Sequence, residues 1–195
     1  MSRDVDDTRT RILNAAWQLL EQGAGKGVRM ADVAALAGVS RQAVYLHFPS
    51  RAELLIETTR HIDAMHDVAG RLAASRAATG GLARLEAFID TWSGYIPEVH
   101  GVCSALLAMR DTDAAAAAAW HDRMAAVREG CAAAVAALSA DGMLRTDIDG
   151  DAATDILWTL LSVRNWEHLR QDCGWPQDRY VAAMKDLARR ALTTD

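Results

Sequence analysis

The tightest constraint on this chain lies between Arg29 and Phe48. There two short apolar-periodic segments, about 30–37 and 41–47, are separated by only Gly38-Val39-Ser40. So short a connection forces two helices to cross steeply and leaves the second protruding. Gly38 supplies the positive φ that a tight helix exit demands, and Ser40 is placed to accept from the free N–H groups opening the next helix. Val33, Leu36 and Ala37 form the expected buried side of the first segment, with Ala34 small where helices cross closely. Val39, Val44 and Phe48 face inward in the second. The stretch reads as a helix-turn-helix.

The polar residues of the second segment point to a ligand. A short protruding helix with polar residues in its first turn fits the major groove of B-DNA. Arg41 and Gln42 sit at the end nearest base edges, where Arg pairs bidentately with guanine and Gln with adenine. Tyr45 and His47 follow at the groove edge with donors suited to phosphate, and Arg51 combines a cation with a helix N-terminus. Charge agrees with this placement. The chain carries a formal net charge of −5, yet residues 8–51 are net +4 and residues 61–195 net −6. A basic head on an acidic body lets one surface meet phosphate while the rest avoids it.

The remainder reads as helix throughout. Alanine, the strongest helix former, occurs 39 times and Pro three times, so an all-β fold is excluded. Helices are expected at about 6–22, 30–37, 41–47, 51–77, 81–95, 97–109, 113–139, 151–171 and 176–192. Pro49, Pro97 and Pro176, with the glycines at 23–27, 38, 80–81, 142 and 150, mark the breaks. The 51–77 segment carries Leu54, Leu55, Thr58, Ile62, Met65, Ala69 and Leu72 on one side. The fold class is therefore all-α with about nine helices. No apolar run approaches the roughly 20 residues of a membrane span, and the polar N-terminus lacks a secretory h-region. Three cysteines without CxxC spacing fit a reducing compartment, so a cytoplasmic location is expected and no membrane partner.

Residues 10–58 resemble the N-terminal domain of the TetR (tetracycline-repressor-like) transcriptional regulators. The resemblance rests on Ile12-Leu-Asn-Ala15-Ala16, Gly23, Val33-Ala34, Ala37-Gly38-Val39-Ser40, Tyr45-Leu-His47-Phe48 and Pro49-Ser50-Arg51-Ala-Glu53-Leu54. It covers about a quarter of the chain. It implies a helix-turn-helix DNA-binding domain at 1–52 and a helical ligand-binding and dimerisation domain at 53–195. It also implies a homodimeric repressor on a palindromic double-stranded operator, released by a small hydrophobic or amphipathic effector. Two departures stand out. Arg29 occupies the place of the family's Thr or Ser cap, so a phosphate contact is expected there instead, and Gln42 stands where glycine is common.

Beyond the resemblance, helical spacing supports an interface. Ile156, Leu160 and Val163 repeat by four and three, as do Tyr180, Met184, Leu187 and Ala191. Two such helices per subunit would build a four-helix contact across a two-fold axis. For the effector, Trp92, Tyr95, His100, Met109, Trp120 and Met124 are the candidate lining, with His66 on the helix joining head to body. No metal site or cofactor is expected: His61 and His66 are five apart, and Asp147-Ile-Asp-Gly-Asp151 has Ala152 and Trp158 where calcium ligands would stand. No enzymatic motif is present. Two alternatives stay open: a DNA-binding regulator with no small-molecule effector, and a helical binding module or enzyme with its site in unmarked positions.

Overall fold

The computed structural model describes residues 2–23 and 27–194. Lys26, one of the basic residues of the head, and the Ala24-Gly25 part of the first glycine break lie outside the described residues. The elements are α1 (Ser2–Gln22), α2 (Met30–Ala37), α3 (Arg41–His47), α4 (Arg51–Met65), α5 (Val68–Arg71), α6 (Ala73–Ala77), α7 (Gly81–Met109), α8 (Ala114–Ala140), α9 (Gly150–Leu160), α10 (Val163–Glu167) and α11 (Gln177–Leu192). A π-helical turn, His168–Asp172, follows α10. Among the described residues there is no strand, only an isolated antiparallel bridge between Leu144 and Thr193. Among the described residues no helix is long and apolar enough to cross a membrane.

Two compact units emerge. The first comprises residues 1–68 and 100–124, the second 69–99 and 125–195. In the first, α1 packs on α2 and α4, and α2 on α3. Its core is Ile12, Leu13, Ala16, Leu20, Val33, Val44, Phe48, Leu54, Leu55 and Ile62, each at most 2% exposed. Leu36 is the exception to the expected pattern, 45% exposed on the outer side of α2.

In the second unit α9 packs on α11. The start of α7 approaches the end of α8 so closely that a Cβ on Gly81 would lie 2.6 Å from Leu138 backbone atoms. The Gly81 N–H donates to the Asp141 carboxylate at 2.6 Å, which satisfies one of the orphan donors of α7. The loop after α8 is tied to the end of α11 through Arg145 N–H to the Leu192 carbonyl (2.9 Å) and Thr194 N–H to the Met143 carbonyl (3.1 Å).

Three helix boundaries differ from the sequence expectation. The helix expected over 51–77 ends at Met65, where Asp67 takes φ 49° and breaks the ladder, so Met65 is 63% exposed instead of continuing the stripe. Pro97 interrupts nothing: α7 runs through it. A proline leaves the carbonyl four residues earlier without its helical donor, and here Gln177 Nε2 donates to that Ser93 carbonyl at 2.8 Å. The helix expected over 151–171 breaks at Leu161, and Ser162 caps a new start by accepting from Asn165 N–H at 3.2 Å.

Replacing Gly81 by Ala puts a methyl group against immovable backbone. Overpacking of this kind costs about 1–3 kcal/mol, so Gly81→Ala should lower the thermal midpoint by roughly 3–10 °C in a chain of this size. An unchanged melting curve would show that α7 and α8 separate freely at this point.

Candidate nucleic-acid interface

The turn between α2 and α3 is built by local chemistry. Gly38 adopts φ 66°, ψ 37°, and the chain reverses through Val39 N–H to the Ala34 carbonyl (3.0 Å) and Gly38 N–H to the Ala35 carbonyl (3.3 Å). Arg11, from α1, donates to the Ala37 carbonyl at 2.6 Å and to the Gly38 carbonyl at 3.2 Å. It thereby answers carbonyls that the end of α2 leaves unpaired. Ser40 caps α3 by accepting from Ala43 N–H at 3.1 Å.

On α3 itself Val44 is fully buried, as is Phe48 at its end. Arg41, Gln42, Tyr45 and Leu46 are exposed, and Ala43 and His47 half-buried. Arg41 lies over Tyr45, guanidinium to ring centroid 5.6 Å, with its Nη2 3.5 Å from the phenol oxygen. Leu46, 79% exposed, is an apolar side chain on an otherwise polar surface, suited to contact with a thymine methyl.

Four of the seven residues expected at DNA come together. Arg29, Arg41, Tyr45 and Arg51 line one open cleft of about 470 Å³ with Gly27, Met30, Ala31 and Asp113. Gln42, Ser40 and His47 lie elsewhere on α3 or at its start. Arg29 makes no cap for α2; its guanidinium pairs with Asp32 through Nε (2.7 Å) and Nη2 (3.1 Å), and stays 79% exposed.

Arg51 departs from the expected free phosphate contact. Its Nε donates to the Val28 carbonyl at 2.5 Å, Nη1 to Asp113 Oδ1 at 3.0 Å, and Nη2 to Asp113 Oδ2. At this end of α4 the groups left for an anion are the helix N-terminus and Ser50, which accepts from Glu53 N–H at 3.1 Å.

Asp113 is a residue that sequence reasoning missed. It caps α8, accepting from Ala115 (3.0 Å) and Ala116 (3.3 Å) N–H groups, while pairing with Arg51. The hydrogen bond from Arg51 holds its carboxyl below the ordinary Asp range, assisted by the Ala116 and Ala115 N–H groups. One carboxylate thus joins the starts of α4 and α8, and Arg51 adds the residue before Arg29. Arg9 was also missed. It sits 5.1 Å over the Phe48 ring and pairs with Glu57 at 2.5 Å. Burial, then Arg9, pushes the His61 pKa down.

The expected effector residues fall in both units. Trp92 and Tyr95 are buried in the second, rings 6.2 Å apart and edge-to-face, with the Trp92 indole N–H donating to the Leu161 carbonyl at 2.8 Å. His66, His100, Met109, Trp120 and Met124 belong to the first. His66 packs edge-to-face on Trp17 at 5.8 Å, and His100 lies 3.0 Å from the Ser104 hydroxyl. Of the expected interface residues, Val163, Tyr180 and Met184 are buried in their own unit's core, Ile156, Leu160 and Ala191 are half-buried, and Leu187 is 44% exposed. Among the described residues no three His, Cys, Asp or Glu side chains gather as a metal site.

An all-helical chain that presents a capped, seven-residue helix beyond a glycine turn is a helix-turn-helix protein. Residues 12–58 match the model of the bacterial regulatory proteins of the tetR family. The nucleoid occlusion factor SlmA of Marinomonas sp. (strain MWYL1) is 31% identical over 109 residues, 55% of this chain and 54% of that protein, so the chain spans about half the length of that relative. Two solved structures share the fold over nearly the whole chain. A putative TetR-family transcriptional regulator from Rhodococcus sp. superposes with a TM-score of 0.75 at 21% identity, covering 97% of this chain and 100% of that one. A putative transcriptional regulator from Saccharomonospora viridis, solved in complex with choline, gives 0.73 at 20% identity with the same coverage. Residues 12–58 thus carry the likeness to the tetR family's model, and the solved structures extend the likeness of fold to nearly the whole chain.

Asp113→Asn keeps the α8 cap, since Asn caps nearly as well as Asp, but removes the charge opposite Arg51. A loss of about 1–2 kcal/mol is expected, and Asp113→Ala should lose about 1 kcal/mol more with the cap. The sign with pH follows from the depressed pKa: the stabilisation is present above pH 3.8 and disappears as pH falls through the lower folded value. Denaturant melts of Asp113→Asn should therefore draw closer to those of the parent as pH is lowered below 3.8; parallel curves would refute the ion pair's contribution.

Proposed function

We propose that the chain is a DNA-binding transcriptional repressor that acts as a homodimer and leaves its operator when a small apolar or amphipathic molecule occupies its helical body. Residues 1–52 read DNA, and residues 53–195 dimerise and bind the effector. The carrying observation is α3: Arg41, Gln42, Tyr45 and Leu46 are exposed on it, behind a turn fixed by Gly38 and Arg11. In the major groove Arg41 and Gln42 read base edges and Leu46 a thymine methyl. Tyr45, His47, Ser40, Arg29 and the α4 N-terminus at Arg51 meet phosphates. A two-fold axis sets two such helices about 34–36 Å apart, one helical turn of a palindrome.

Support for the dimer comes from Leu187, Ile156, Leu160 and Ala191, which keep exposed surface on α9 and α11. Support for the effector comes from the buried Trp92 and Tyr95 and from the regulator solved with choline. A second reading, DNA binding without any small-molecule effector, is favoured by the SlmA likeness, since that protein is named for nucleoid occlusion.

Gel shifts with duplexes from upstream of the chain's own gene test the first reading. Arg41→Ala should weaken operator binding by about 1–3 kcal/mol and relax one base position, whereas equal affinity and specificity would sink the assignment. Leu187→Arg should yield a monomer in sedimentation with a large loss of operator affinity. An effector that releases DNA should also raise the thermal midpoint with occupancy; operator binding that no amphipathic ligand perturbs would favour the second reading.

A further inference from the structure

In the second unit a cation already occupies an aromatic and acidic niche, and it is one of the chain's own. Arg71, the last residue of α5, extends its guanidinium to Glu98 on α7. Nη1 donates to Oε1 at 2.6 Å and Nη2 to Oε2 at 2.9 Å. The same guanidinium lies 5.7 Å from the centroid of the Tyr95 ring, whose edge-to-face neighbour is Trp92 at 6.2 Å. Tyr95 is 3% exposed and Trp92 8%, so both rings are buried behind the cation. Arg71 and Glu98 keep 37% and 35% of their side-chain surface, so the niche opens to solvent.

The geometry points to a binding site for a ligand carrying a planar guanidinium or amidinium group, with Arg71 standing in its place. Two parallel N–H···O bonds to one carboxylate select a planar fork and discriminate against a compact ammonium. The Tyr95 face adds cation–π attraction, and Trp92 braces that ring edge-to-face.

Arg71 is able to leave because the backbone of α5 is held without its side chain. The Thr91 hydroxyl lies 3.2 Å from the Arg71 carbonyl, and Arg76 Nη1 donates to the Ala69 carbonyl at 3.2 Å. A ligand therefore competes with a tethered arginine present at an effective concentration on the order of millimolar. The inference deepens the effector reading and rests on it for its regulatory consequence. Binding itself is measured without DNA.

The test is calorimetric titration of the full chain with n-butylguanidinium, n-butyltrimethylammonium and n-butylurea. Arg71→Ala should bind n-butylguanidinium at least tenfold more tightly than the parent. Adding Glu98→Gln to Arg71→Ala should remove at least tenfold of that affinity, and Tyr95→Leu a comparable part. The trimethylammonium, which lacks the fork, and the urea, which lacks the charge, should each bind at least tenfold more weakly than n-butylguanidinium. Equal affinity in the parent and Arg71→Ala, indifference to Glu98→Gln in a variant that melts normally, or equal binding of all three compounds would each overturn the proposal. Operator release is scored separately by gel shift. An effector that releases DNA without n-butylguanidinium binding leaves the regulator reading standing and this inference refuted, while binding with no effector-dependent release refutes the effector reading alone.

Discussion

Seven residues are too few for a helix to stand alone in water, and α3 has to keep most of its surface uncovered. Everything in the first unit answers that constraint. Only Val44 within α3 and Phe48 at its end reach the core, so hydrophobic burial anchors one side and no more. The rest of the ordering comes from its ends: Ser40 caps the start, the left-handed Gly38 sets the approach, and Arg11 fastens the preceding carbonyls to α1. Each such contact is worth on the order of 1 kcal/mol, but together they fix the direction in which four exposed side chains point.

The same logic extends to Arg51 and Asp113. Arg51 carries the charge that a phosphate would seek, yet it is engaged with a carboxylate and a carbonyl of its own chain. Its contribution is positional, aligning the starts of α4 and α8 with Val28, two residues ahead of α2. Arg29, by contrast, is paired at the surface with Asp32 and stays largely solvated, so a phosphate can take it over at little cost in burial.

The helix-turn-helix was legible in the sequence because its determinants are local. Gly38, Ser40, Val44 and Phe48 lie within eleven consecutive positions of one another, and each acts through its own conformation or an immediate neighbour. What escaped depends on distant partners. Asp113 looks like one acid in a loop until Arg51, 62 residues earlier, is brought to it. Leu36 fits the periodicity of a buried face, but two neighbours are too few to cover a helix of eight residues. Periodicity also names a face without naming its partner. Tyr180 and Met184 therefore shared a stripe with Leu187 in the sequence, although the first two are buried and the third exposed. The aromatic and thioether residues grouped as one lining are divided between two units for the same reason.

Pro97 gives α7 a joint whose stiffness is set elsewhere. The rung that proline removes is replaced by an amide belonging to α11, 84 residues along the chain, and that amide's own oxygen accepts from the Trp166 indole at 3.0 Å. The hydrogen bond missing from a 29-residue helix is in this sense leased from the C-terminal helix and the tryptophan behind it. Any reseating of α11 would strip the Ser93 carbonyl of its donor within α7.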